Sequence, residues 1–219
     1  MQLANRRVDA PIFNTAPVVR WLIAATVLAH LARMALPPAL DYAVIERFGF
    51  IAARYTLGAW QFDPLAFFAA PLTHLFLHGG LTHLLVNMAM LLAFGTPVAR
   101  RMRAGPFLIL YAICGLAGAA SWTLLHPLSI DPLIGASGAI SGMIGAIARS
   151  SLVHTEGHQT PLANRSTAWI FIAFWLIFNV VFGVLGPEAF GMKGAIAWEA
   201  HLGGFVAGFA LAPLFNRRV

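Results

Sequence analysis

The sequence predicts an all-α membrane protein, a bundle of six transmembrane helices whose first loop lies in the membrane interface. Three observations predict it. The chain of 219 residues is 59% hydrophobic and only 10% charged, against roughly 25% charged in a soluble domain; that leaves too little polar surface for a water-facing shell. The apolar residues gather into six runs, 17–36, 81–98, 106–125, 133–149, 168–186 and 195–215. The arginines and lysines divide unevenly between the two ends of those runs.

Residues 1–16 are mostly polar at their start, carry Arg6 and Arg7, and read as a cytosolic N-terminal segment. The run 17–36 reaches the roughly 20 residues that cross a bilayer. A cleaved signal peptide is the rival reading, and Arg33 near the far end and the lack of a small-x-small site argue against it. Arg20 and Arg33 sit near the two ends of the run, where long side chains snorkel. Residues 37–80 are too long and too aromatic for a plain loop. Phe48, Phe50, Tyr55, Trp60, Phe62, Phe67 and Phe68 suit a segment in the headgroup region. The fourth run is the shortest and is rich in glycine, so it is expected to avoid lipid and to begin below the membrane surface. The fifth carries Trp169, Phe171, Phe174, Trp175, Phe178 and Phe182 without a small-xxx-small strip. Bulky faces pack less closely, which makes this helix the candidate for a mobile side entrance; an ordinary lipid-facing aromatic helix is the alternative. One membrane domain, 17–215, is expected, followed by a basic cytosolic end at 216–219.

With the N-terminus in the cytosol, that side holds Arg6, Arg7, Arg20, Arg100, Arg101, Arg103, Arg149, Arg165, Arg217 and Arg218. The other holds Arg33, Arg47, Arg54 and Lys193. This is a positive-inside bias, and it places both termini in the cytosol. The pI of 10.7 is then a topology signal, with some attraction to anionic headgroups. It does not indicate nucleic acid, because no basic stripe is interleaved with exposed aromatics. The single cysteine, Cys114, lies within an apolar run and excludes an internal disulfide.

In this topology the second, fourth and sixth helices run from outside to inside. His83 and Asn87 fall early in the second, Ser137 early in the fourth, and His201 about two turns into the sixth. All four lie in the outer half of the bilayer at comparable depth. Polar residues within a membrane are costly and are functional suspects. A serine hydroxyl becomes a nucleophile when a base takes its proton, and His201 is the candidate base. His201, Gly204 and Gly208 share one face of the sixth helix, and Gly204 and Gly208 form a GxxxG that permits close helix approach. The fourth helix offers Gly138, Gly142 and Gly145, with Gly135 ahead of them. Packing these strips together would bring His201 beside Ser137. A helix N-terminus favours negative charge, and His83 and Asn87, spaced i, i+4, share one face and could aim donors at one oxyanion. Their alternative is an interhelical hydrogen-bond clasp. Glu199, the carboxylate within the runs, stands roughly 200° of helical turn from His201, and Asp131 lies in the loop before the fourth helix. The site therefore reads as a Ser–His dyad.

Gly-Ala-Ser-Gly at 135–138, His-x-x-x-Asn at 83–87 and Ala-His-x-x-Gly-x-x-x-Gly at 200–208 together resemble the rhomboid family of intramembrane serine proteases, from about Pro71 to Phe215. The resemblance implies a six-helix bundle that cuts transmembrane segments of other proteins, without metal or cofactor. It implies Ser137 as nucleophile and His201 as general base. It also implies an oxyanion hole of His83, Asn87 and the Ser137 backbone N–H, and a place for His78 near the water-access region. Two departures stand out. Where many bacterial relatives carry Trp-Arg in the first loop, this chain reads Phe67-Phe68-Ala69-Ala70. Where some relatives stack a tyrosine on the catalytic histidine, this chain has Ser141, which is expected to hydrogen-bond the imidazole instead or to be a small packing residue.

Two other classes compete. A catalytically inactive rhomboid-like protein that binds membrane clients would not need Ser137 and His201 together. A metal enzyme or carrier would use His74, His78 and His83, but no nearby carboxylate or cysteine completes a site. His30 is expected to be interfacial, and His154 and His158 to lie in a cytosolic loop. The expected location is a cell membrane, crossed several times, and a bacterial cytoplasmic membrane suits a chain without an added soluble domain. The expected partners are transmembrane substrates and the lipid bilayer.

Overall fold

The computed structural model describes residues 15–153, 165–186 and 197–215, apart from the side chains of Val153 and Phe182. The expectations for Arg6, Arg7, His154, His158, Lys193, Arg217 and Arg218, for most of the N-terminal segment and for the C-terminal end fall outside the described residues. The described chain is helical, with no strand beyond an isolated bridge between Phe50 and Leu133.

α1 (Pro17–Met34) opens on Pro17, whose missing N–H is an orphan at that position in any case. The first loop then folds into short helices: α2 (Pro38–Phe48), α3 (Ala52–Thr56) and α4 (Pro64–Thr73), with 3-10 turns at Ala59–Gln61 and His74–Phe76. α4 is capped by Asp63, whose side chain accepts from the Ala66 N–H at 3.0 Å and pairs with Arg47 at 2.9 Å. These two bonds hold the exposed Asp63 carboxyl below its usual range. α5 (Leu81–Met90) runs through a π-turn, Leu91–Gly95, into α6 (Thr96–Ala99). Pro97 cannot donate to the carbonyl four residues back, and a π-turn absorbs such a break. α7 (Ala104–Leu125), α8 (Ser137–Val153), α9 (Arg165–Leu185) and α10 (Trp198–Phe215) complete the order.

Among the described residues, four helical stretches are long and apolar enough to cross a membrane: Pro17–Met34, Leu81–Ala99, Ala104–Leu125 and Arg165–Leu185. The fourth and sixth runs, α8 and α10, are not among them. α8 is enclosed by its neighbours, with every residue from 138 to 148 buried. A helix shielded from lipid can carry glycine and serine in place of leucine.

α7, α8 and α10 form the tight centre. A Cβ on Gly204 would meet the Gly138 carbonyl, one on Gly208 the Gly142 carbonyl, and one on Gly145 the Phe205 carbonyl. On the α7 side, Gly118 stands 3.5 Å from Gly138 Cα as measured from its own would-be Cβ, and Cys114 backs Gly142. Without a hydrophobic drive between helices in lipid, this backbone proximity is what dispersion and weak hydrogen bonds use. Around it lies a core of Leu75, Leu84, Leu91, Phe107, Leu110, Met143 and Ile147.

Two side chains depart from their expected places. Arg33 does not snorkel outward. It is buried, chelates Asp41 at 2.7 and 3.2 Å, and donates to the His78 carbonyl at 2.9 Å, so the α2 carboxylate and that carbonyl satisfy the guanidinium within the protein. His30 is buried rather than interfacial.

Candidate active site

The segment after α7 delivers Ser137. It is stitched to the first loop: the Phe50 and Leu133 backbones exchange hydrogen bonds at 3.0 and 2.8 Å, Ala53 N–H donates to the Ser129 carbonyl, and Thr56 donates to the Pro127 carbonyl. Phe50 stacks on Tyr55, and the Tyr55 hydroxyl donates to the Phe67 carbonyl at 2.7 Å. Residues 133–136 are not helical, Leu133 being held in the bridge to Phe50 and Ala136 forming a turn, and α8 starts at Ser137 itself. Gly135 is therefore no helix-packing residue. It has φ +122°, a conformation that disfavours side chains, and its N–H donates to the His74 carbonyl at 2.9 Å. A Cβ there would meet the His83 ring at 2.9 Å and Ser137 Oγ at 3.8 Å, so the turn needs glycine on both counts.

α10 begins at Trp198, which puts His201 in its first turn and not two turns in. The facing glycines bring the imidazole to the serine: His201 Nε2 stands 2.8 Å from Ser137 Oγ. The other ring nitrogen, Nδ1, stands 2.7 Å from Asn179 Oδ1 on α9. Both nitrogens are thus occupied. Ser141, buried one turn beyond Ser137, does not hold the ring. Asn179 is the site residue that the sequence reading missed. Its signal was a lone amide within the apolar stretch 165–185, where a polar side chain is costly. Glu199 is turned away from the pair; it is bound by His126 at 3.0 Å, and the His126 ring packs 4.0 Å from Trp122.

His83 and Asn87 occupy one face of α5. The Gly79 N–H points at His83 Nδ1 across 3.4 Å, which leaves Nε2 as the donor nitrogen beside Gly135. Asn87 donates one amide hydrogen to the His83 carbonyl at 2.9 Å, and its Oδ1 has no partner. An amide nitrogen has a second hydrogen to give. His78 is fully buried, packs edge-on against His83 with centroids 4.9 Å apart, and both its ring nitrogens are unpartnered. It lines a cavity of about 200 Å³ with His30, Arg33, Asp41 and Gly79. This volume holds several waters, and its polar lining can bind them. No cluster among the described residues could hold a metal ion. His74, one of the three histidines considered for a metal, gives its ring nitrogen to the Ala70 carbonyl at 2.9 Å.

The fold and site define a class: a helical membrane protein with an alcohol and an imidazole hydrogen-bonded between glycine-faced helices. The chain belongs to the rhomboid family, whose Rhomboid domain matches residues 68–218. It is 32% identical over 143 residues to RHOMBOID-like protein 1 of Arabidopsis thaliana, covering 65% of this chain and 33% of that protein. It is 33% identical over 141 residues to Rhomboid protease GluP of Bacillus subtilis, covering 64% and 25%, and 30% identical over 147 residues to Rhomboid-like protease 3 of Toxoplasma gondii, covering 67% and 51%. In each case the chain spans at most about half the length of the relative, and as little as 25% for GluP.

Proposed function

We propose that the protein is an intramembrane serine endopeptidase that cleaves transmembrane segments of other proteins. The observation that carries this reading is the 2.8 Å contact between Ser137 Oγ and His201 Nε2. Two separate helices bring these groups together, and the serine sits on the first residue of α8. Proteases among the relatives, GluP included, support it.

In this reading His201 Nε2 takes the Ser137 proton as Oγ attacks the scissile carbonyl carbon. The oxyanion receives the Ser137 N–H, His83 Nε2–H and the second Asn87 N–H, with the α8 N-terminus adding its positive end. His201 returns the proton to the leaving amine, which departs and leaves an acyl ester on Ser137. Water drawn from the cavity beside His78 then loses a proton to His201 and attacks the ester carbonyl, and His201 returns that proton to Ser137 Oγ as the ester bond breaks and the new carboxyl product leaves. No metal or cofactor takes part. The same reading takes α8 and α10 as two further spans beside the four long ones, giving six in one domain over 17–215. It sets the first loop in the headgroup region and both termini in the cytosol of a bacterial cell. Substrate helices enter past α9, near Trp175 and Phe178.

Proteolysis of a panel of single-span substrates in liposomes tests the proposal. Wild type is expected to cleave some of them and Ser137→Ala none. A wild type that binds these substrates without cleaving any would make the chain an inactive client-binding rhomboid-like protein.

A further inference from the structure

Asn179 sits at the middle of α9, 8% exposed, and makes two hydrogen bonds that fix its amide. Nδ2 donates to the Trp175 carbonyl of its own helix at 2.8 Å, and Oδ1 faces His201 Nδ1 at 2.7 Å. The opposite flip would set the amide oxygen against the Trp175 carbonyl oxygen, two acceptors with no proton between them. Oδ1 is therefore the atom at the imidazole, and an amide oxygen only accepts. It follows that Nδ1 carries the ring proton. In the neutral imidazole Nε2 is then bare, and it is the nitrogen 2.8 Å from Ser137 Oγ.

We propose that Asn179 is a positioning residue for His201: it selects the tautomer whose free nitrogen faces Ser137 and holds the ring plane against it. This rests on the Ser137–His201 reading and extends it from a dyad to a chain of three side chains from three helices, α8, α10 and α9. The third member is neutral. Burying a carboxylate there would carry a large desolvation penalty, whereas the amide supplies an acceptor without a charge. Trp175, one turn before Asn179, stacks on Phe205 of α10 with centroids 4.6 Å apart, and this contact keeps α9 at the distance the hydrogen bond needs.

The test uses the full chain in liposomes, with Asn179→Ala and Asn179→Asp beside wild type and Ser137→Ala. Readouts are kcat and KM for a cleaved single-span substrate, fluorophosphonate labelling of Ser137, the pH profile, and the ¹⁵N shifts of the His201 ring. Asn179→Ala is expected to lower kcat and labelling about tenfold to a hundredfold, as loss of an orienting partner does, with KM little changed. Its ring shifts should show mixed tautomers in place of the Nδ1–H form. Asn179→Asp keeps the shape and the acceptor toward Nδ1 but replaces the donor to the Trp175 carbonyl with a second oxygen. The Nδ1–H signature is expected to return, and the ionised carboxylate favours the imidazolium and moves the acid limb of the profile to higher pH, at a cost in stability. His83 is the other titratable side chain facing His201, and Glu199 is taken by His126; both are unchanged in these variants, so the movement belongs to position 179. Wild-type rates, pH profile and ring shifts in both variants would overturn the positioning role while leaving the Ser–His reading intact. Failure of wild type to cleave or label at Ser137 would overturn that reading first.

Discussion

α8 and α9 stand on either side of the same imidazole and are held in opposite ways. α8 meets α10 backbone to backbone, with Gly204 against the Gly138 carbonyl and Gly208 against the Gly142 carbonyl, and neither Gly204 nor Gly208 has room for a methyl group. α9 meets the bundle through side chains, Trp175 on Phe205 and Ile172 against Ile144 and Ala148, while Trp169, Phe174 and Phe178 face outward. Interdigitated glycines leave one register, so the Ser137–His201 distance is set by the chain itself. A contact made by large side chains can adjust by rotamer changes, and the proposed side entrance past α9 would use that freedom. In the proposed function this difference would fix the two reacting groups rigidly and leave α9 as one adjustable wall.

The most disruptive way to break the contrast is Gly204→Val. Its side chain would run into the Gly138 carbonyl, overpacking that costs about 1–3 kcal/mol or more. The helices must part, and cleavage and Ser137 labelling are expected to vanish together with a lowered Tm. Retained activity would mean that the glycine contact does not set the site. Asn87→Ala leaves both packing modes alone and removes one oxyanion donor, so kcat is expected to fall on the order of a hundredfold to a thousandfold with Tm nearly constant. Near-normal kcat would take Asn87 out of the site. On the α9 side, Trp175→Ala removes a buried ring and is expected to cost about 3–5 kcal/mol and to change turnover. Phe178→Ala, on the outer face, stays within about 0.5 kcal/mol and changes turnover less. Equal effects at the two positions would contradict this division of α9.

The smallest effect concerns the first loop. Partial burial pushes the Tyr55 phenol up to about 12, against an opposing pull from Arg54. A raised pKa contributes stability that is full below the unfolded value, near 10, and is lost as pH rises toward 12. Absorbance of ionised tyrosine should therefore show Tyr55 titrating late, with loosening of the 126–133 segment above roughly pH 10. Titration at the ordinary value would mean that the Tyr55–Phe67 bond does not hold the loop.

The rigid half of this contrast was legible in the sequence and the adjustable half was not. Glycine spacing at 138, 142, 204 and 208 and the histidine at 201 share a helical period, so sequence alone could pair them. Asn179 follows no period and sits among aromatics, so only the packing of α9 reveals its partner. Arg33 was misread for a similar reason: its partner Asp41 lies on α2, inside what looked like an interfacial loop. α8, at 17 residues, falls short of the four long apolar stretches because its neighbours enclose it, whereas α10 has 18 residues like α1 and exposes Val206 and Leu214. The start of α8 also moved, since the bridge to Phe50 holds Leu133 and the positive φ of Gly135 turns the chain before Ser137.

The central claim is that His201 activates Ser137. Mass spectrometry of the chain after fluorophosphonate treatment in liposomes tests it most directly. The account predicts an adduct on the Ser137 peptide in wild type, none in Ser137→Ala, and a strongly reduced yield in His201→Ala. No adduct in wild type, or an equal yield without His201, would contradict it.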